Sequence, residues 1–362
     1  MKALILNKLS LVNYKNFDAE SFDLDKKINC FVGDNGVGKT NVLDSIYHLA
    51  MTKSYFHSLS SQSINHKAEF MVIEGDFKKG EKSENIINSL KKGKKKTVKR
   101  NGKIYKKFSD HIGLIPVVMI SPYDRDLIQE GSSNRRKFID NVISQNNKTY
   151  LNQIISYQKI LSQRNALLKY FKKNNTFDIS ILKVYDDQLS ELSLPIYKIR
   201  LDFFKNFVPV FVDRYNSISQ NKEKVNISYE SQLNHESLDS LLENSLEKDR
   251  IIQYTSCGTH KDDLIFEIDG FPIKKFGSQG QQKSFLISLK LAQFDYLKTE
   301  SNSSPILLLD DIFDKLDNKR VQQLIQLVNN DQFGQLFISD TDYNRTENII
   351  KKINSSYKMF EL

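Results

Sequence analysis

The fold of this protein is decided by residues 33–40, GDNGVGKT, which are Gly33, Asp34, Asn35, Gly36, Val37, Gly38, Lys39 and Thr40. They fit the phosphate-loop pattern G-x-x-x-x-G-K-[ST]. An apolar run, INCFV, precedes the loop, and a segment with apolar residues at helical spacing follows it, so the loop should join a strand to a helix. The backbone N–H groups should face phosphate oxygens, Lys39 should reach the β and γ phosphates, and Thr40 should bind Mg²⁺. The loop therefore predicts an ATP site.

A second apolar run, ILLL at 306–309, ends in two acids, Asp310 and Asp311. Such a run is typical of a buried strand that delivers carboxylates to the edge of a parallel sheet where ligands bind. Alone the run is common in α/β cores, but together with a phosphate loop it indicates an ATPase. We expect Asp310 to hold Mg²⁺ and Asp311 to polarise the attacking water as a general base.

Residues 278–282, SQGQQ, open an apolar helix upstream of that strand. In form they resemble the signature motif of ABC-type ATPases, which contacts the γ-phosphate bound to the other subunit. Ser278, Gly280 and Gln281, at a helix N-terminus, would form a second anion site that is complete only in a dimer. The alternative is an ordinary capped helix start.

Two further segments match positions of the ABC pattern. Asp317 lies at the position of the D-loop, the segment that lies across the dimer interface in ABC-type ATPases. The alternative interpretation is that Asp317 caps the N-terminus of a helix. The segment FISDTD at 337–342 lies where ABC proteins carry a switch histidine but contains none. Either Ser339 or Thr341 substitutes for it, or the switch is missing.

Glycine is absent between positions 131 and 258. Within this window, apolar residues recur at helical spacing over 150–168 and 182–196, which predicts a compact helical subdomain rather than an extended coiled coil. Pro195 and Pro209 should kink or interrupt its later helices.

The flanking segments contain short apolar runs that predict strands, and those followed by helices predict a parallel α/β sheet. These runs are 28–32, 71–75, 116–121, 264–268, 306–309 and 336–339. We therefore expect an α/β ATPase domain, discontinuous in sequence as 1–121 and 251–362, around a helical insertion at 122–250.

The net charge is +9, and its excess is concentrated between Lys78 and Lys107, where 13 Lys and Arg face two acids. Gly93 and the pair Asn101-Gly102 are turn signals, so we interpret the segment as a basic strand and hairpin edge. It could contact a nucleic-acid backbone, or it could be a solvated edge that lysines protect from pairing. The candidate DNA contacts are Lys94, Lys95, Lys96, Lys99 and Arg100.

The composition, with 39% hydrophobic and 27% charged residues, excludes collagen-like, low-complexity and wholly disordered chains. No stretch has the length of a membrane helix and the start lacks a signal-peptide pattern, so we expect a cytoplasmic location and no membrane partner. Cys30 and Cys257 are too few and too far apart for a disulfide framework or a zinc site, and should be buried thiols.

Several longer segments resemble the RecF family of bacterial recombination-repair ATPases, which is related to the SMC proteins. They are LNKLSLVNYKNF near the start, ISPYDRDLIQEGSSNRRKFIDNVISQ at 120–145, YQKILSQRNALLK at 157–169 and SCGTHKDDL at 256–264. The resemblance implies an ABC/SMC-type ATPase head that forms an ATP-dependent homodimer, clamps duplex DNA and hydrolyses ATP slowly when DNA stimulates it. It also implies that RecR and RecO are partners in loading recombinase at single-strand gaps and stalled forks.

The same resemblance assigns nucleotide and Mg²⁺ binding to Lys39 and Thr40, metal binding to Asp310, catalysis to Asp311 and the trans contact to Ser278. The roles of three other residues in the matching segments stay open. Arg135 and Arg136 are DNA contacts, interface pairs or internal salt bridges, and His260 shows no nucleophile or metal partner in the sequence.

Three other functions compete with this interpretation. An SMC-related ATPase of chromosome structure or phage defence would be expected to carry long coiled-coil arms or a fused nuclease domain. An ABC subunit that energises a membrane partner would carry the switch histidine. An ATP-gated binding module with negligible turnover is compatible with every motif above.

Overall fold

The computed structural model describes residues 4–301, 303–311, 334–353 and 355–362. In chain order the strands are β1 Leu4–Tyr14, β2 Phe17–Asp23, β3 Ile28–Val32, β4 Phe70–Lys79, β5 Lys82–Lys91, β6 Thr97–Arg100, β7 Lys103–Ile104, β8 Val117–Ile120, β9 Val225–Glu230, β10 Asp263–Ile268, β11 Phe271–Pro272, β12 Ile306–Asp310, β13 Leu336–Asp340 and β14 Tyr357–Glu361. The α-helices are α1 Lys39–Met51, α2 Asp126–Gln129, α3 Ser132–Asn146, α4 Lys148–Asn174, α5 Ile179–Ser219, α6 Leu238–Ile252, α7 Ile273–Phe276, α8 Gln279–Ser301 and α9 Tyr343–Ile350.

The chain divides into two compact units, one of Met1–Asp124 with Leu286–Leu362 and one of Arg125–Phe285. In the first unit a five-stranded sheet has the order β14-β3-β13-β12-β8, and every pair in it is parallel. Strands β3, β12 and β13 are buried along their whole length, as parallel strands covered on both faces must be. The predicted parallel α/β sheet is confirmed.

A second sheet of the first unit is antiparallel, with the order β2-β1-β4-β5-β6-β7. It contains the predicted basic hairpin. Asn101 and Gly102, which separate β6 from β7, have φ of 49° and 77°, the positive values that a tight hairpin turn of the right twist requires. The basic segment therefore forms the edge of this sheet, as predicted.

Helix α1 contacts strands of both sheets, including β13 and β4. Its predicted apolar face is completely buried, and Asp44 and His48 on its other sides are buried as well. A helix buried all round is a core helix, and each fully buried Leu or Ile contributes about 1.5–3 kcal/mol. This packing holds the start of α1, and with it the glycine-rich loop, at the carboxyl end of β3.

The second unit combines helices with a three-stranded antiparallel sheet in the order β11-β10-β9. Helices α4 and α5, of 27 and 41 residues, pack against each other. We expected Pro195 and Pro209 to kink or interrupt the helices, and the structure shows that they do not interrupt α5, since both lie inside it. The packing of one face offsets the backbone hydrogen bonds that the prolines remove; the buried residues on that face include Leu189, Ile196, Phe203, Phe207 and Phe211.

Residues 251–285, which we expected in the C-terminal half of the ATPase domain, belong to the second unit because β10 pairs with β9 from Asp263↔Glu230 to Ile268↔Val225. The functional domain boundaries 1–121, 122–250 and 251–362 stay a prediction. Cys30 and Cys257 are buried free thiols, as expected. Among the described helices, none has the length and apolar character needed to cross a membrane.

Candidate nucleotide-binding site

The glycine-rich loop joins β3 to α1, so the predicted strand, loop and helix are present in that order. A Cβ at Gly38, where φ is 117°, would lie 2.5 Å from Asn16 Nδ2, and a Cβ at Gly33 would lie 2.6 Å from the carbonyl oxygen of Leu362. No side chain fits at either position. At Gly36, φ is 91° and nothing lies within 4 Å. The tip of the loop, including Asp34 and Asn35, is exposed, as a loop that receives a ligand must be.

Lys39 lies at the start of α1 and is only 5% exposed. Its Nζ donates hydrogen bonds of 2.8 Å to the carbonyl oxygens of Gly33 and Asp34. The ammonium group is therefore held inside the loop. The N-terminus of the 13-residue helix adds further positive potential, so the loop has the electrostatics of an anion site.

Asn16, in the turn between β1 and β2, holds the loop from outside. Its Nδ2 donates to the carbonyl oxygen of Val37 at 2.8 Å, and its Oδ1 accepts from Asn41 Nδ2 at 2.7 Å. We had not singled out Asn16 from the sequence, although it lies in the LNKLSLVNYKNF segment. Its chemistry indicates a support for the loop rather than a contact with the nucleotide.

Asp310, at the end of β12, is the centre of the polar site and is 3% exposed. Its Oδ1 accepts from Thr40 Oγ1 at 2.7 Å and from Ser339 Oγ at 2.8 Å. Its Oδ2 accepts from Ser121 Oγ at 3.2 Å. The structure thus brings the loop threonine and the strand aspartate together, as the sequence predicted.

This donor set fits Mg²⁺, which takes oxygen ligands and often only one or two carboxylates, the remainder being water and phosphate oxygens. Thr40 and Asp310 provide one hydroxyl and one carboxylate. Among the described residues, no group of three or more His, Cys, Asp or Glu side chains could hold a metal ion. An all-protein metal cage is therefore not seen in the described part of the chain.

Asp311 follows directly and has a φ of 48°, in the left-handed region that Asp tolerates better than most residues. Its backbone N–H donates to Ser339 Oγ at 3.0 Å. Of the two candidates for the switch position, Ser339 therefore contacts both acids, whereas the Thr341 N–H donates to Asp340 Oδ1. Asp317 lies outside the described residues.

Ser121 is a site residue that we did not single out, although it opens the SPYD segment. Its backbone N–H donates to Asp124 Oδ2 at 2.8 Å, and Asp124 forms a 2.8 Å ion pair with Lys290. Both charged side chains are about 95% buried, so the turn that carries Ser121 is firmly held. The sequence did carry a signal for Ser121, because it lies at the end of a predicted strand. That strand, β8, is a parallel neighbour of β12, and the carboxyl ends of parallel strands meet at one edge of the sheet.

The SQGQQ segment in the second unit begins α8 with a reciprocal cap. Ser278 Oγ accepts from Gln281 N at 3.2 Å, and Gln281 Oε1 accepts from Ser278 N at 2.7 Å, the pattern of a capping box. Ser278 is exposed. The capped start is therefore present, and the exposed serine at the N-terminus of a 23-residue helix is compatible with a second anion site.

The candidate DNA contacts differ in their surroundings. Lys94 and Lys95 are exposed. Lys96 donates to the carbonyl oxygen of Thr52 and lies 4.9 Å from the Phe108 ring centroid; burial, with the charge of Lys53, lowers the pKa of Lys96 to about 8. Arg100 forms two hydrogen bonds with Glu84, of 2.6 and 2.8 Å. Of the five candidates, only Lys94 and Lys95 are exposed, whereas Lys96, Lys99 and Arg100 are half-buried.

Arg135 and His260 have structural partners in the second unit. Arg135 pairs with both carboxylate oxygens of Asp263 at 2.7 and 2.9 Å, so it forms an internal salt bridge. His260 Nδ1 lies 2.8 Å from Tyr157 Oη, and its Nε2 lies 3.0 Å from the carbonyl oxygen of Thr255. Burial lowers the pKa of His260 to about 4, so the ring is neutral at pH 7.

Arg136 has an internal contact of the same kind, since its Nη1 donates to the carbonyl oxygen of Asp262 at 2.6 Å. Burial lowers the pKa of Arg136 despite the nearby Asp263. Both arginines of the SSNRRKF segment thus act within the second unit.

Comparisons with known proteins cover nearly the whole chain and agree on one family. A family model, the RecF/RecN/SMC N-terminal domain, matches residues 5–361. The DNA replication and repair protein RecF of Flavobacterium johnsoniae is 59% identical over 357 residues, 99% of both chains. A solved structure of the recombination mediator protein RecF-ATP in the RecFOR pathway has a TM-score of 0.88 and 29% identity, covering 94% of this chain and 93% of the other. The Smc head domain of Pyrococcus furiosus, at a TM-score of 0.56 and 14% identity over 98% of this chain and 93% of the other, shares the fold.

Proposed function

Because the chain belongs to the RecF family of DNA replication and repair proteins, we propose that it is an ATP-dependent dimer that clamps duplex DNA and is reset by slow, DNA-stimulated ATP hydrolysis. The observation that carries the proposal is the 2.7 Å hydrogen bond from Thr40 to Asp310. It joins the phosphate loop to the acidic strand, the two parts that an ATPase needs in one place.

ATP would be bound by residues 33–40, with Lys39 facing its phosphates. Mg²⁺ would be held by Thr40 and Asp310, and would supply neutralisation of charge on the phosphate oxygens. Asp311 acts as the general base, since its carboxylate can accept a proton from an attacking water. Ser339 orients this acid through the hydrogen bond from the Asp311 N–H. The hydrolysis rate is low, so ATP works as a switch.

Dimerisation follows from the signature motif. Ser278 is exposed at the start of α8, and we place it against the nucleotide of the partner subunit, together with Gly280 and Gln281. Two ATP molecules would then lie between two chains. Since each ATP would contact both chains, it would bind the dimer more tightly than the monomer and so stabilise the dimer by mass action.

The DNA contact is assigned first to Lys94 and Lys95, whose side chains are exposed. Lysines at a sheet edge can neutralise backbone phosphates without reading sequence. Lys96, Lys99 and Arg100 complete the proposed contact, although Arg100 also pairs with Glu84.

The RecFOR pathway is named for a solved relative, and we propose RecR and RecO as partners of this chain in loading recombinase at single-strand gaps and stalled forks. The proposed location is the cytoplasm, where bacterial DNA lies.

The decisive experiment measures binding to a short DNA duplex at near-physiological salt with ATP, with ADP and without nucleotide, and follows dimer formation in the same samples. Tight binding and dimers only with ATP are expected. Nucleotide-independent binding would mean that the basic hairpin acts alone, and no binding under any condition would overturn DNA as the direct ligand. A DNA clamp without measurable ATP turnover would favour the binding-module alternative.

A further inference from the structure

The signature serine is linked to a glutamate outside its motif. Gln281 accepts the N–H of Ser278 through Oε1 at 2.7 Å, and its Nε2 donates to Glu223 Oε1 at 2.9 Å. The other carboxylate oxygen of Glu223 accepts from Tyr215 Oη at 2.6 Å. Three hydrogen bonds therefore connect Tyr215, Glu223, Gln281 and Ser278 in series.

The chemistry of the amide gives this series a direction. A glutamine side chain has one acceptor oxygen and one donor nitrogen. Because the carboxylate of Glu223 accepts only, it selects the orientation in which the Gln281 nitrogen faces Glu223 and the oxygen faces Ser278. The flipped amide would place donor against donor at Ser278 and acceptor against acceptor at Glu223. Glu223 thus determines how the cap of α8 is built.

The far end of the series is anchored in the core of the second unit. Tyr215 is completely buried near the end of α5. Phe285 of α8 packs against it, with ring centroids 6.3 Å apart, and against Phe211 of α5, with centroids 4.7 Å apart. The end of α5 and the start of α8 are therefore packed together, and Glu223 lies in the connection that follows α5.

We propose that Glu223 is a positioning residue for Ser278, which it sets for the nucleotide of the partner subunit through Gln281. This inference rests on the proposed function, in which Ser278 acts in trans. Glu223 itself touches no nucleotide. Its role makes the long helix α5, through Tyr215, part of the structure that completes the partner's ATP site.

The first test compares Glu223→Ala with Glu223→Gln, whose amide oxygen can still accept from Gln281. ATP binding to the monomer should be unchanged in both. For Glu223→Ala, ATP-dependent dimerisation and hydrolysis should fall about tenfold, the effect of losing one hydrogen bond to a charged group, and Glu223→Gln should recover part of the loss. Glu230→Ala, at an exposed glutamate at the end of β9, is the matched control. Tyr215→Phe keeps the ring packing and removes only the hydrogen bond to Glu223. It should therefore lower ATP-dependent dimerisation and hydrolysis less than Glu223→Ala does.

Mixed dimers separate positioning from a general folding defect. Glu223→Ala mixed with Lys39→Met forms heterodimers with one intact site, made of the loop of the first chain and the signature of the second. Hydrolysis in the mixture should exceed the sum of the two variants alone. No gain would overturn the inference, provided that Ser278→Ala mixed with Lys39→Met does show a gain. If that second mixture shows none, the trans arrangement of the proposed function fails, and the inference fails with it.

Discussion

Ser339 lies directly opposite Asp310 in the parallel register of β13 and β12, and its hydroxyl donates a 2.8 Å hydrogen bond to Asp310 Oδ1. The hydroxyl oxygen of Ser339 also accepts the N–H of Asp311 at 3.0 Å. One buried serine therefore supports both acids of the candidate site. It is one of the two candidates in the FISDTD segment for the role of the ABC switch histidine, so we expect its removal to affect turnover more than binding.

Ser339→Ala should lower the rate of ATP hydrolysis about ten- to a hundredfold, because a hydrogen bond to a charged group is worth about 1.5–3 kcal/mol. The ATP dissociation constant should change little. Single-turnover hydrolysis and equilibrium ATP binding provide the two measurements. Ser21→Ala, at an exposed serine in β2, is the control. An unchanged rate would show that Ser339 has no part in turnover.

Lys39→Met should abolish nucleotide binding, since the only ammonium held by the loop carbonyls of Gly33 and Asp34 in the described structure is lost. Binding of a fluorescent ATP analogue would be measured beside the thermal unfolding midpoint. The midpoint should stay close to that of the original protein. Retained ATP affinity would contradict the assignment of residues 33–40 as the phosphate loop.

Asp311→Asn should trap an ATP-bound dimer, because the amide keeps the size of the side chain but cannot act as a general base. Asn also tolerates the left-handed backbone seen at this position, where φ is 48°, so folding should be preserved. Size-exclusion chromatography with light scattering in ATP should show the dimer persisting after the original protein has returned to monomer. A variant that stays monomeric in ATP would refute this role.

Lys94→Gln combined with Lys95→Gln should weaken duplex binding and reduce the slope of log K against log salt by about 1.8, since each phosphate contact contributes about 0.9. Binding would be measured over a range of salt concentrations in the presence of ATP. Lys172→Gln with Lys173→Gln, an exposed pair at the end of α4, removes the same charge elsewhere. Equal effects of the two double variants would indicate general electrostatics rather than a contact at the hairpin.

Acid should destabilise the second unit through His260. Burial lowers its pKa from 6.5 to about 4, so between these values the unfolded chain binds a proton that the folded chain does not. The stabilising contribution is present above pH 6.5 and is lost as the pH falls towards 4. The urea midpoint should fall over this range, and less steeply for His260→Gln than for the control His66→Gln at an exposed position. Parallel pH profiles would contradict the assignment.

Local patterns were sufficient for the phosphate loop, for the strand that ends in Asp310 and for the basic hairpin with its Asn101-Gly102 turn. Each depends on the backbone requirements of a few consecutive residues: positive φ at glycines, an apolar run before an acid, a tight turn between strands. The amphipathic window without glycine likewise predicted helices. It did not show that α5 continues through Pro195 and Pro209. The helix is stabilised there by the packing of its apolar face against other elements, such as α4, and local sequence does not reveal that packing.

By itself the sequence predicted the α/β fold of an ABC/SMC-type ATPase, which is confirmed, and it named the loop and strand residues that the structure brings together. Only the tertiary structure decided which distant groups meet them, as with Ser121, which lies 189 positions from Asp310, or Arg135, whose partner Asp263 is 128 positions away. It also decided that Lys96 and Arg100 contact their own unit while Lys94 and Lys95 face solvent. The physical reason is that hydrogen bonds and ion pairs depend on distance in space, which spacing along the chain does not encode.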